Sequence, residues 1–383
     1  MGAKALEPGS VGLVDTQSVR LFTPESPLQL RSGQALGPIE VAYETYGTLS
    51  PDKDNAVFIC HALTGDAHAA GFHPGAKRPG WWDNLIGPGK PLDTDRFFVV
   101  CANLLGGCQG TTGPSSINPE TGKPYGLSFP LLTVGDLVEV HRALMHHLGV
   151  ERLLAALGGS LGGMQVLDWA LHYPEELANA IVVAASSRLT AQNIAFSAVA
   201  RRAIMGDPRF DDGGYTESSD HPDTGLAIAR MMAHITYLSE DALTEKFGRA
   251  PQPGRGAPGF GIDFAVESYL DHQGQVFTER SDALSYLYLS RVMDYFDPFA
   301  DADALQRVSA HPLRWLVMSF DTDWRFGTDH SRRIVRRLEL GGQPVTFREI
   351  SSPWGHDSFL LEVPSYHATL RTYLDRALLE VRS

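Results

Sequence analysis

Three residues in this sequence have the types and surroundings for covalent chemistry: a serine set among glycines, an aspartate behind an apolar run and a histidine near the C-terminal end. The run Gly158-Gly159-Ser160-Leu161-Gly162-Gly163-Met164 follows an apolar segment at 153–157 and precedes a helical pattern. This is the strand-turn-helix setting in which a sharp turn exposes a nucleophilic serine. Gly158, Gly162 and Gly163 supply room where strand and helix approach too closely for larger side chains. A helix beginning at the turn presents unpaired N–H groups and the positive end of its dipole, so Leu161 N–H is a candidate oxyanion donor.

A serine hydroxyl is a weak nucleophile near neutral pH until an imidazole takes its proton. After an elbow of this kind the acid comes next in the chain and the histidine last. The apolar run Trp315-Leu316-Val317-Met318 ends in Ser319-Phe320-Asp321-Thr322-Asp323-Trp324-Arg325, and Asp323 is preferred to Asp321 as the acid. The run at 345–350 leads into Gly355-His356-Asp357, which makes His356 the base. Asp323 would then hold the imidazole in one tautomer and stabilise its charged form. Asp321 and Asp357, on residue type alone, read as turn formers. His61, at a strand end, fits an oxyanion loop better than the base; Cys60-His61-Ala62-Leu63-Thr64-Gly65 offers Leu63 N–H as the second donor.

Short apolar runs at 56–60, 97–101, 153–157, 180–185, 315–320 and 345–350 read as buried strands, with helical patterns such as 134–148 and 164–172 between them. This alternation predicts an α/β class: a mostly parallel sheet covered by helices on both faces. It breaks between 188 and 304, where helix-compatible segments at 195–204, 225–237 and 281–295 are joined by polar loops, including a Gly/Pro-rich stretch at 249–261. The expected organisation is a core of residues 1–187 and 305–383 with a helical lid inserted at 188–304. The first forty or so residues are expected to add a hairpin.

The formal net charge of −13 over 383 residues, without a basic run, excludes a nucleic-acid surface. An anionic substrate would therefore need locally placed arginines. Cys60, Cys101 and Cys108 lack ligand spacing and read as packing thiols, and no metal site is implied. Met1-Gly2-Ala3-Lys4 opens no apolar signal core, and no apolar run approaches bilayer-spanning length, so the expectation is a cytoplasmic protein with no membrane partner.

The sequence resembles the homoserine O-acyltransferases of the α/β-hydrolase fold over nearly its whole length. The resemblance is carried by Cys60 to Gly65, Gly158 to Gln165, Gly355-His356-Asp357 and the more specific Leu105-Gly106-Gly107-Cys108-Gln109-Gly110-Thr111-Thr112-Gly113-Pro114-Ser115-Ser116. It implies that Ser160 takes an acyl group from acyl-CoA and that His356 then activates the hydroxyl of L-homoserine, the first committed step of methionine biosynthesis. Acyl-CoA enters as co-substrate and no cofactor is implied. By the same resemblance Arg230 would bind the homoserine carboxylate and Asp357 its ammonium, and the protein would be a homodimer. Arg325, two positions after the catalytic aspartate, resembles the succinyl-CoA users, whereas acetyl-CoA users tend to carry leucine there. A cation near the acyl pocket suits the distal carboxylate of a succinyl group. Homoserine O-succinyltransferase is thus the favoured reading, followed by O-acetyltransferase, serine O-succinyltransferase and carboxylic-ester hydrolase.

Overall fold

A computed structural model describes residues 7–254, 256–257, 259–311 and 313–383; positions 255 and 258 of the stretch read as a loop lie outside the described residues. The strands are β1 (Gln17–Leu21), β2 (Leu28–Gln29), β3 (Ala35–Leu36), β4 (Ile39–Tyr46), β5 (Ala56–Cys60), β6 (Phe98–Ala102), β7 (Ala155–Gly159), β8 (Asn179–Val183), β9 (Arg314–Phe320) and β10 (Val345–Ile350). The main sheet has the order β1-β4-β6-β5-β7-β8-β9-β10, while β2 and β3 form a small ladder of their own. Pairing is parallel from β6 through β10, and β4 and β1 add on antiparallel. The expected N-terminal hairpin is thus the antiparallel edge of the main sheet.

Strands β5, β7 and β8 are buried on both faces, which explains why they read as continuous apolar runs instead of alternating, whereas the edge strand β10 leaves Thr346, Arg348 and Glu349 exposed. Phe58, Val100, Ala156, Val182 and Val317 point into one core, and Val57, Ile59, Leu157, Ile181 and Met318 into the other. The first core is covered by α1 (Val134–His147) and α2 (Leu161–His172), the second by the C-terminal helix and the segment carrying Trp82 and Leu85. Helix α1 starts at a capping box in which Thr133 and Asp136 exchange bonds.

Between β8 and β9 the chain forms a helical insertion: α3 (Ala191–Met205), α4 (Asp223–Tyr237), α5 (Glu240–Phe247), α6 (Ala265–Thr278) and α7 (Ala283–Asp294). Helix α4 packs between α3 and α6. The next helix, α8 (Ala304–Ala310), rests on α2 in the core, and α9 (Thr328–Leu340) and α10 (Pro364–Arg382) flank β10.

One strand is displaced from its expected position. The run at 153–157 gives a strand that starts at Ala155 and continues through Gly158 and Gly159, which pair with Val182 and Val183. These glycines stay in the ladder because the elbow needs them. A Cβ on Gly158 would lie 2.3 Å from the Gly162 carbonyl carbon, and one on Gly159 2.4 Å from the Phe359 ring.

Candidate active site

Ser160, Asp323 and His356 lie just past the C-terminal ends of β7, β9 and β10, where loops of an open α/β sheet gather. Ser160 has φ 58° and ψ −123°, a positive φ that L residues adopt only when their surroundings impose it. The surroundings do so from both sides: Ser160 N–H donates to Val183 O at 3.0 Å, and Met164 N–H donates to Ser160 O at 3.2 Å. A Cβ on Gly162 would stand 1.9 Å from Cys60 O, so glycine is what lets α2 begin against the end of β5.

His356 Nδ1 lies 2.7 Å from Asp323 Oδ2, and His356 Nε2 lies 3.0 Å from Ser160 Oγ. All three residues are buried. Asp323 Oδ1 accepts from Arg325 N–H at 3.0 Å and Phe326 N–H at 2.9 Å, leaving Oδ2 for the imidazole. Nδ1 must donate to that carboxylate, which presents Nε2 as acceptor for the serine hydroxyl. Asp321 faces elsewhere: its Oδ1 accepts from Ser352 N–H at 2.9 Å and joins the β9 loop to the β10 loop. The arrangement can remove a proton from Ser160 and return it to a leaving group.

Leu63 N–H and Leu161 N–H have no acceptor among the described residues. Leu63 and Thr64 also border a narrow pocket shared with Cys108, Arg280 and Tyr286.

Three arginines from the insertion and the β9 loop converge on this region without a carboxylate partner among the described residues. Arg230, on α4, donates to Thr64 Oγ1 at 3.1 Å, and its Nε is buried and unbonded. Arg280 donates to Thr64 O at 3.0 Å. Arg325, only 7% exposed, donates to Thr236 Oγ1 at 2.8 Å. Tyr237 stands among them, its ring centre 5.9 Å from that of His356, 5.5 Å from the Arg325 guanidinium and 5.7 Å from that of Arg230. Asp357 opens onto a groove with Leu238, Lys246 and Tyr269. Burial pushes its carboxyl up to about 6, against the opposing pull of His356 and Arg230.

Sequence reasoning passed over Tyr237, Thr236 and Arg280, whose relevance comes from a fastening visible only in three dimensions. Trp324 Nε1 donates to Leu238 O at 2.9 Å, and Ser239 Oγ donates to Pro353 O. Gly355 at φ +69° lets the His356 loop pass 2.6 Å, measured from an added Cβ, from Ser239 N. Residues 236–239 of the insertion are thus tied to both triad loops.

Spacing also gave no sign of a cluster of metal-ligand type at Glu44, His68 and His73. Here Glu44 Oε1 meets His73 Nε2 at 2.6 Å and Thr16 Oγ1 at 2.8 Å, while Oε2 meets His68 Nδ1 at 3.0 Å and Tyr46 OH at 2.8 Å. Four donors saturate this buried carboxylate, so it reads as a hydrogen-bonded tie between β4 and the segment after β5. Cys60 and Cys101 are buried and Cys108 partly so, and burial raises all three thiols, which suits packing rather than reactivity.

Residues 55–363 match the family model of the α/β-hydrolase fold. The chain is 58% identical over 366 residues to the homoserine O-succinyltransferase of Nocardioides sp., covering 96% of this chain and 99% of that one. It is 52% identical over 364 residues to the homoserine O-acetyltransferase of Rhodospirillum rubrum, covering 94% and 93% of the two chains. Among solved structures, the homoserine O-acetyltransferase from Bacillus anthracis superposes with a TM-score of 0.86 at 27% identity, covering 95% of this chain and 98% of that one.

Proposed function

Because the chain belongs to the homoserine O-succinyl- and O-acetyltransferases of the α/β-hydrolase fold, we propose that it transfers the succinyl group of succinyl-CoA to the hydroxyl of L-homoserine through an acyl-serine on Ser160. The protein is an acyltransferase. In the first half-reaction His356 Nε2 takes the Ser160 proton as Oγ attacks the thioester carbonyl. Leu63 N–H and Leu161 N–H stabilise the tetrahedral oxyanion, and the proton leaves with the CoA thiol. In the second, His356 takes the homoserine hydroxyl proton, the alkoxide attacks the acyl-serine carbonyl, and the proton returns to Ser160. Asp323 keeps the imidazole oriented and stabilises its cation through both halves.

Arg230 and Asp357 supply opposite charges for the two ends of the amino acid, guanidinium to carboxylate and carboxylate to ammonium. The tie between residues 236–239 and the triad loops supports a lid role for the insertion, which would favour the bound alcohol over free water. Arg325 is the observation that favours succinyl over acetyl: a buried guanidinium with no carboxylate partner among the described residues, packed on Tyr237 and following Asp323 by two residues. The distal carboxylate of a succinyl group would complete that pair.

The same reading puts the protein at the start of methionine biosynthesis in the cytoplasm. It also makes the enzyme a homodimer, for which exposed Ile194, Val199, Ile228 and Ile235 on α3 and α4 offer apolar surface. No described helix is long and apolar enough to cross a membrane. The test is incubation of purified protein with homoserine and either succinyl-CoA or acetyl-CoA, following thiol release and identifying the product by mass. Succinylhomoserine as main product supports the full proposal; acetylhomoserine overturns the role of Arg325 alone; CoA release without acceptor dependence overturns transfer to homoserine.

A further inference from the structure

Two buried histidines and a buried glutamine beside the elbow take no part in the reaction as written. His61 is 3% exposed, and His141 and Gln165 are fully enclosed. His141 Nε2 and Gln165 Oε1 are 2.9 Å apart, and Gln165 Nε2 donates to both His61 O and Leu161 O at 3.1 Å. His61 Nδ1 faces Ala62 O at 2.8 Å, while its Nε2 receives Leu104 N–H at 3.2 Å.

The partners dictate where the protons sit. A carbonyl can only accept, so His61 Nδ1 carries the hydrogen, and an N–H can only donate, so Nε2 is bare. By the same logic His141 is protonated on Nε2, toward the Gln165 oxygen. Burial pulls His61 below the ordinary histidine range and His141 down to about 4, so both rings are neutral at physiological pH. His141 is further held by Phe58 at 4.7 Å and Trp169 at 6.4 Å between ring centres.

The consequence lies in one peptide plane. Ala62 C=O and Leu63 N–H belong to the same trans peptide and point in opposite directions. Ala62 O is held from two sides, by His61 Nδ1–H and by Gly65 N–H at 3.0 Å. Holding that carbonyl therefore aims Leu63 N–H the other way. A flipped plane would present the Ala62 carbonyl to a developing oxyanion in place of a donor. Gln165 adds the second constraint, since one amide grips the carbonyl just before this plane and the carbonyl of Leu161, the residue bearing the other donor.

We propose that His61, Gln165 and His141 are positioning residues that fix the Ala62–Leu63 peptide plane relative to Leu161 and so hold the oxyanion hole preformed. The proposal rests on the acyl-serine reading of Ser160. Its signature is a loss of acylation rate without loss of substrate binding.

The experiment mixes the protein with 4-nitrophenyl acetate in the absence of homoserine and follows the rate of the 4-nitrophenol burst as a function of ester concentration, alongside a thermal midpoint. His61→Leu and Gln165→Met are expected to lower the limiting acylation rate constant by roughly 10- to 100-fold, with the ester dissociation constant from the same titration held within about twofold. His61→Asn, which keeps an N–H beside the Ala62 carbonyl, should recover part of the rate. Gln165→Glu, which keeps an acceptor for His141 but offers no donor to the two carbonyls, should not. Wild-type acylation in the folded apolar variants overturns the proposal, as does a raised ester dissociation constant with an unchanged limiting rate. Should those variants fail to fold, Gln165→Glu acylating at the wild-type rate overturns it. A wild-type protein that shows no burst, or one that survives Ser160→Ala, fails the acyl-serine reading instead.

Discussion

Arg325 and Thr236 join the triad to the insertion: the guanidinium, two residues past Asp323, donates to a hydroxyl in the last turn of α4 at 2.8 Å. The same helix carries Arg230, so the elements proposed to select the acyl donor and the amino-acid acceptor are mechanically continuous. Thr236 is a neutral partner and no carboxylate pairs with the arginine among the described residues, which is the state a carboxylate ligand would relieve.

From this, Arg325→Leu should lower kcat/KM for succinyl-CoA by roughly 10- to 100-fold while leaving acetyl-CoA within a few-fold, the span of one charge-assisted hydrogen bond. Steady-state rates with the two donors at fixed homoserine check it. An equal loss with both donors would move Arg325 from donor selection to support of the Asp323 loop.

Asp357 gives a pH prediction. Its carboxyl titrates at about 6 in the empty site, chiefly through burial. Only the ionised form attracts an ammonium, so homoserine binding should be at full strength above that value and weaken as pH falls through it. KM for homoserine should climb by up to about tenfold per unit below it. Asp357→Asn should raise KM above about pH 6, converge with the wild type below it and abolish the pH dependence, while the ester burst on Ser160 persists. A pH-independent KM in the wild type would remove Asp357 from ammonium binding.

Glu44 has the opposite sign. Burial alone would raise its carboxyl, but hydrogen bonds from His68 and His73, then Tyr46 and Thr16, outweigh burial and hold it down at about 2. The folded chain therefore binds this proton less tightly than the unfolded chain does. The resulting stabilisation is complete above the unfolded value of roughly 4.5 and drains away as pH falls towards 2; its size is on the order of 3 kcal/mol. Glu44→Gln should lower the denaturant midpoint at neutral pH and flatten its dependence across that window. A mutant with the wild-type acid profile would show that the tie between β4 and the post-β5 segment is not electrostatic.

What could be read from the sequence depended on whether a local pattern carried the information. Buried parallel strands leave apolar runs whatever packs on them, and the elbow glycines announce a turn because no other residue fits against Gly162 or Cys60 O. The order serine, aspartate, histidine follows from strand order, so it survives in one dimension. Tyr237 and Thr236 left no such trace: they sit in an ordinary amphipathic helix, and their meaning depends on how the insertion folds back over β9 and β10. Glu44 and His73 were invisible for a related reason, being 29 residues apart with a strand and a turn between them. The two-residue displacement of β7 arose because glycines read as a loop signal, whereas here they continue the ladder up to Ser160.

The backbone at Ser160 allows function and strain to be separated. Both Ser160→Ala and Ser160→Gly remove the nucleophile, so both should be inactive in ester burst and acyl transfer. Alanine must still adopt φ 58°, whereas glycine occupies that region freely. Strain of this kind is worth about 1–3 kcal/mol, partly offset by the larger entropy glycine loses on folding. Ser160→Gly should therefore be more stable than Ser160→Ala by about 1 kcal/mol, read as a higher urea midpoint at equal slope. Comparing the two mutants with each other cancels loss of the His356 hydrogen bond, which a comparison with wild type would not. Equal midpoints would mean that the elbow relaxes once the hydroxyl is gone; the positive φ would then be held by the Ser160–His356 bond, and not by the ladder to Val183 and the first turn of α2.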